Sequence, residues 1–265
     1  FYAINNNHYS PVASASATVS SYLAGELVDP MAYTNGIALS SSGTGVGGQG
    51  WTNGWGGADV ANWSVSSGSF ASASYYPTNY GNKLTATATG ADRSVLRGLP
   101  AVTGGKIYVA YILNYAANAW AGLSLYDGAT EKIFFGEAAG GANQLGISAG
   151  GAALGESLSA GSGNDYIVVG MLDLGTGEAK VESYKIGTDT VPVNEPASWS
   201  ASLSGLSISR VDGIRLAAGD GAGAVYFDEV RVATNWNELL NVTYTTPVLA
   251  VTPASRSYET TVGVN

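Results

Sequence analysis

The chain has 265 residues, a net charge of −9 and no cysteine, which excludes disulfides and thiolate metal sites. Its 11 Lys and Arg are scattered along an acidic chain, so nucleic acid is not an expected partner. Only 12% of residues are charged, yet 45% are apolar, 16 are Tyr and 37 are Gly, the composition of a folded β protein rich in tight turns.

Residues 1–24 are polar, rich in Asn, Ser and Ala, and weakly periodic; they are expected to form an N-terminal extension or linker. The segment begins at Phe1 without a basic-then-apolar leader, as expected of a processed chain or an excerpt. It carries His8, the single histidine. A flexible arm does not hold an imidazole for Ser-His-Asp chemistry, and one His without Cys does not make a zinc site.

From Glu26 onward, short apolar runs alternate with glycine punctuation: "ELVDPMAY", "KLTATATG", "KIYVAYILNY", "AGLSLYDGATEKIFFGE", "DYIVVGMLDLGTGEAKVESYKI", "GIRLAAG" and "AVYFDEVRV". These predict β-strands. Asp127-Gly128 in "YDGAT" and Gly175 and Gly177 in "DLGTGEA" predict hairpin turns. The stretch Ile107 to Tyr126 approaches bilayer-spanning length, but Asn114, Asn118 and its tyrosines divide it into two strands, so no membrane insertion is expected. Helix signals are confined to "TNWNELL", where Asn235 is placed to cap one turn and Glu238 to reach back to it. The pattern predicts an all-β protein, with residues 25–240 as one two-sheet antiparallel sandwich. Residues 241–265 change character and are expected to be a linker and the beginning of another unit.

The run "GAVYFDEVRVATNW" contains adjacent carboxylates, Asp228 and Glu229. Strict strand alternation places Asp228 with Tyr226, Val230 and Val232, and Glu229 on the other face with Phe227 and Arg231. On that reading they are not an acid/base couple. Asp228 is expected to accept hydrogen bonds from the first strand, and Glu229 to form an exposed pair with Arg231.

Several stretches together resemble the concanavalin A-like (laminin G-type) jelly-roll modules of secreted bacterial surface proteins: "LVDPMAY" at 27–33, "GTGVGGQGWTNGWGG" at 43–57, "YYPTNYGNKL" at 75–84, "AGLSLYDGATEKIFFGE" at 121–137 and "AVYFDEVRVATNW" at 224–236. The resemblance covers roughly residues 25–240. It implies a secreted or cell-surface location and a last strand lying beside the first. The tail "LAVTPASRSYETTVG" is similar to the opening strands of the immunoglobulin-like repeats that follow such modules, here incomplete.

The resemblance admits lectins, adhesion modules and glucanases. Glucanases of this fold carry closely spaced acids on one strand, and no E-x-D-x-(x)-E occurs here. Glu178 and Glu182 share a strand face but stand roughly 13 Å apart at about 3.3 Å per residue, and Glu131 and Glu137 nearer to about 20 Å. Glycoside hydrolysis needs about 5–9.5 Å. The chain is therefore expected not to be an enzyme. The glycine-rich stretches lack the GK[ST] ending of phosphate loops. No cofactor is expected; calcium has weak candidates in the loop residues Asp127, Asp165 and Asp220.

The candidate ligand-binding residues are aromatic: Trp55, beside Trp51 in the glycine-tryptophan stretch, and Tyr75, Tyr76 and Tyr80 around Pro77. Aromatic rings stack on the C–H faces of sugars at low entropy cost. Two functions follow: an extracellular recognition or adhesion module for a glycan or matrix polymer, or a structural subunit of a filament or surface layer that adds its terminal strands to other copies of itself.

Overall fold

The apolar runs between glycines fold as strands. The structure, a computed structural model, describes residues 4–5, 8–9, 27–39, 47–70, 81–88, 90–116, 120–138, 143–150, 156–159 and 162–240. The chain divides into two units, one of Phe1–Ser21 with Tyr244–Asn265 and one of Tyr22–Thr243. In the first, the described residues form an antiparallel pair, β1 (Ile4–Asn5) and β2 (His8–Tyr9), so His8 lies in a strand where a loose arm was expected. Residues 241–265, expected to be a linker and incomplete immunoglobulin-like strands, lie outside the described residues.

The second unit contains β3 (Leu27–Asp29), β4 (Trp63–Ser66), β5 (Lys83–Ala88), β6 (Arg93–Val102), β7 (Lys106–Tyr115), β8 (Ala121–Asp127), β9 (Thr130–Glu137) and β10 (Gln144–Ala149). It continues with β11 (Glu156–Ser159), β12 (Tyr166–Asp173), β13 (Glu178–Lys185), β14 (Ala201–Leu203), β15 (Val211–Ala218), β16 (Gly223–Ala233) and the helix α1 (Trp236–Leu240). One sheet has six strands in the order β11-β10-β9-β8-β15-β6; the other has eight, β14-β13-β12-β7-β16-β5-β4, with β3 also on β16. The fold is the all-β, two-sheet antiparallel sandwich that the strand pattern predicted, and the jelly roll that the resemblance implied.

Period-two alternation sends Leu123, Leu125, Ile133 and Phe135 of the six-stranded sheet against Val109, Tyr111, Leu113 and Phe227 of the eight-stranded sheet. The eight-stranded sheet is also buried on its outward face. There Tyr108, Ala110 and Ile112 of β7 join Ile167, Val169 and Met171 of β12 and Trp236 and Leu239 of α1 in a second core. A strand buried on both faces reads as a continuous apolar run, which is why Ile107–Tyr126, spanning β7 and most of β8, approached bilayer-spanning length. Among the described residues, no helix is long and apolar enough to cross one.

The turns follow their residues. Gly128 takes a φ of 58° between β8 and β9, and the Asp173 carboxylate accepts from the amides of Gly175 and Thr176 at 2.8 and 3.2 Å between β12 and β13. Asn235 caps α1, its Oδ1 accepting from Glu238 N at 2.9 Å. The first and last strands of the sandwich pair as the resemblance implied, Val230 opposite Asp29 and Val232 opposite Leu27.

β16 corrects the strict alternation. Its register against β7 jumps between Asp228 and Arg231, and Glu229 adopts a left-handed φ of 50°. This bulge shifts the parity. Val225 and Phe227 face the inner core before it, Val230 and Val232 after it. Asp228 therefore does not share a face with Val230 and Val232. Glu229 and Arg231 are not an exposed pair: both are buried, 3.1 Å apart, with Arg231 also donating to Leu239 O of α1 at 3.3 Å. Asp228 is buried as well. It accepts from Ser69 Oγ at 2.6 Å, Phe70 N at 3.2 Å and Glu229 N at 2.8 Å, so its donors come from the segment before β5 and from β16 itself, not from the first strand. Burial, and then the Glu229 charge, raise its pKa to about 8.

Candidate functional site

The aromatic candidate inside the described residues has a structural role. Trp55 is fully buried and donates from Nε1 to Asp29 Oδ2 at 2.8 Å. The same carboxylate receives the Tyr33 hydroxyl and the Arg97 guanidinium, while Asp29 Oδ1 accepts from Met31 N at 2.9 Å across Pro30. Arg97 lies against both tryptophan rings, 4.6 Å from Trp51 and 5.4 Å from Trp55, and also donates to the carbonyls of Asn53 and Gly47. A buried carboxylate needs this compensation. The cluster ties the glycine-tryptophan stretch to β3 and β6, so Trp55 has no free face for a ligand. Tyr75, Tyr76 and Tyr80 lie outside the described residues.

The calcium candidates are not brought together, and the described residues contain no group of three or more His, Cys, Asp or Glu placed to hold a metal. Asp127 faces two cations, Lys132 at 3.7 Å and Arg210 at 3.4 Å. Asp165 accepts from Asn114 Nδ2 at 2.6 Å, and Asp220 from Gly90 N at 2.7 Å. Each is engaged by a partner from another segment of the chain.

The features that do converge lie on the outward face of the six-stranded sheet. Register places Leu96, Arg215, Ser124, Phe134 and Ser148 in one row across β6, β15, β8, β9 and β10. Gly98, Gly213, Tyr126 and Glu131 form a second row, and Ala217, Gly122, Gly136 and Gly146 a third. Glu131 reaches this face because the β8–β9 register shifts beside it, between Leu125 and Tyr126. Glu137, six residues on, accordingly belongs to the opposite face, buried beside Tyr115, where desolvation raises its carboxyl to about 7.

The polar centre of the outward face is a triad of contacts. Arg215 Nη2 donates to Glu131 Oε1 at 2.9 Å and to Ser124 Oγ at 3.2 Å, and Ser124 donates to Glu131 at 2.6 Å. The guanidinium lies 4.7 Å from the Trp120 ring and 5.1 Å from the Tyr126 ring. Trp120 packs on Phe134 at 6.3 Å. The Phe134 ring in turn lies over the cross-strand pair Gly122–Gly136, where a Cβ would stand only 2.7 and 3.0 Å from Cζ.

Beside this stack is a pocket of about 440 Å³. Tyr126, Leu96, Gly98, Gly213 and Pro100 give it apolar walls, and Thr52, Asn53, Arg210 and Asp212 give it polar groups. Its size lies in the range of small-molecule sites. Arg210 is balanced by Asp212 at 2.8 Å and Asp127 at 3.4 Å. Sequence reasoning passed over this site because β6, "RSVLRGLPAV", carries two Arg, Gly98 and Pro100 and lacks an alternating pattern. Pro100 is tolerated because β6 is an edge strand.

No family model and no curated protein matches the chain. Among solved structures, it is similar to a GH131 β-glucanase catalytic domain from Podospora anserina, at 16% identity over 76% of this chain and 90% of that one, with a TM-score of 0.46. A Lotus tetragonolobus seed lectin is similar at 7% identity over 57% and 86%, TM-score 0.41. The globular domain of T. cruzi calreticulin is similar at 10% identity over 68% and 87%, TM-score 0.41. The expectation that the chain is not an enzyme is corrected here: glycoside hydrolase catalytic domains stand beside lectins among these structures, and the fold does not divide the two. The two-sheet jelly-roll architecture rests on this chain's own strand order.

Proposed function

We propose that the chain is the glycan-recognition module of a secreted or cell-surface protein, and that it takes sugar at the pocket beside Tyr126. The observation that carries this reading is the pocket itself, with apolar walls at Tyr126, Leu96 and the two facing glycines and with hydrogen-bonding groups on Thr52, Asn53 and Asp212. A pyranose has the matching surface, apolar C–H faces edged by hydroxyls, and aromatic side chains supply large contact area at low entropy cost. The stack of Trp120, Arg215 and Tyr126 fixes the wall before any ligand arrives, which lowers the ordering cost of binding. Tyr75, Tyr76 and Tyr80 are proposed as additional sugar contacts on sequence grounds.

The test is calorimetric titration of the whole chain with a panel of soluble polysaccharides, each also assayed for release of reducing ends. Replacing Tyr126 by Ala is expected to weaken binding at least tenfold, and replacing Trp120 by Ala to weaken it by less. A chain that binds no polysaccharide, or whose binding is indifferent to both replacements, overturns the reading.

A further inference from the structure

Asn53 is held by the edge of β6 in a way that fixes the orientation of its amide. Thr52 N donates to Gly98 O at 3.1 Å, Asn53 O accepts from Arg97 Nε at 3.1 Å, and Asn53 Oδ1 accepts from Gly98 N at 2.7 Å. These bonds satisfy an edge strand that would otherwise expose its amide and carbonyl. They also require Gly98, because a Cβ there would overlap Thr52 Oγ1 and stand 3.1 Å from Asn53 Nδ2.

With Oδ1 committed to Gly98 N, the amide cannot flip without losing that bond, so Nδ2 is the group left to offer. Asn53 is exposed and lines the pocket, and Nδ2 has no hydrogen-bond partner among the described residues. The pocket therefore carries a fixed neutral donor. Its cations are already matched: Arg97 by Asp29, and Arg210 by Asp212 and Asp127. Nothing in this lining presents an unbalanced positive charge to an anionic sugar.

Resting on the glycan reading above, we propose that Asn53 is a specificity-determining residue of the pocket and that the ligand class is a neutral hexose or pentose glycan. Asn53 Nδ2 donates to a ring or hydroxyl oxygen, and Asp212 accepts from hydroxyls. Uronate-bearing and sulfated glycans are disfavoured, because the lining offers no unpaired cation to an anion that approaches a chain of net charge −9.

The experiment compares whole-chain wild type, Asn53→Asp and Asn53→Ala against neutral polysaccharides (mixed-linkage β-glucan, galactomannan, arabinoxylan) and anionic ones (polygalacturonate, heparin). Asn53→Asp keeps an oxygen to accept from Gly98 N but turns the donor into an acceptor. It is expected to keep the wild-type melting temperature and to lose at least tenfold in affinity for the neutral ligand. Asn53→Ala removes both groups and is expected to lower affinity and melting temperature together. Tighter wild-type binding to the anionic polymers, or an Asn53→Asp variant that binds like wild type, overturns the inference. If Tyr126→Ala abolishes binding in that second case, the glycan site stands and only the role of Asn53 fails. If Tyr126→Ala binds normally, both readings fail together.

Discussion

The outward faces of the two sheets are put to different uses. On the eight-stranded sheet, β7, β12 and β16 send Tyr108, Ile112, Ile167, Val169, Met171 and Ala233 outward, where α1 and the segment around Val191 cover them as a second core. On the six-stranded sheet, the corresponding rows hold Gly122, Gly136, Gly146, Gly213 and Ala217, with an aromatic-arginine stack and a pocket at one side. One face gains stability by burying large side chains. The other has small residues in those rows: Gly122 and Gly136 lie under the Phe134 ring, and Gly98 and Gly213 line the pocket. Two similar cation contacts fall one on each face. Lys83 sits between Phe70 and Tyr226 on the eight-stranded face, 4.6 and 4.7 Å from the rings, while Arg215 sits between Trp120 and Tyr126 on the six-stranded face.

This contrast is broken most directly at the bulge of β16. Glu229→Ala leaves the fully buried Arg231 without that carboxylate, and is expected to cost about 3–5 kcal/mol in chemical denaturation. Glycan affinity per folded molecule should be unchanged. A loss below about 1 kcal/mol, the value for an exposed pair, would mean that the bulge does not bury the pair.

A pH series gives the next largest effect. Asp228, on the sealed face, has its pKa raised from 3.8 to about 8, and Glu137, in the inner core, from 4.5 to about 7, burial being the first cause in each. The folded state therefore holds these protons more tightly than the unfolded state. Their contribution is fully present below the unfolded values and is lost as pH rises through the folded ones, so stability should fall between about pH 4 and pH 8. Melting temperatures across that window should decline in the wild type and decline less in Glu137→Gln. A wild-type curve that rises through the window would refute the assignment.

The smallest effect sharpens the comparison of the two cations. Lys83→Met should cost about 1 kcal/mol and leave glycan binding intact. Arg215→Met removes the partner of Glu131 and loosens the Tyr126 wall, and should weaken binding several-fold at a comparable cost in stability. Equal effects of the two replacements on binding would erase the distinction between the faces.

Much of the sandwich was legible in the sequence because its strands alternate or are continuously apolar and its turns carry Gly, Asp and Asn at positions that require them. The pairing of "LVDPMAY" with "AVYFDEVRV" and the single capped turn of α1 were legible as well. The edge strands were not: β4, β6 and β14 are short, polar or interrupted by Pro100, and gain their conformation from neighbours. For the candidate site, the sequence singled out Trp55 as an aromatic available to a ligand. The fold buries it around Asp29 and Arg97, residues 26 and 42 positions away, and no local pattern encodes that meeting.

The sequence by itself determined the fold class, the hairpin turns and the strand identity of the long apolar run, because period-two patterning and turn chemistry act over a few residues. Tertiary structure decided the rest. A one-residue change of register in β16 reversed the faces of every residue beyond it, and a similar shift in β9 carried Glu131 outward while Glu137 stayed within. The pocket draws on β6, β8, β15 and the Thr52–Asn53 loop, segments up to roughly 160 residues apart that only strand pairing and edge capping bring together.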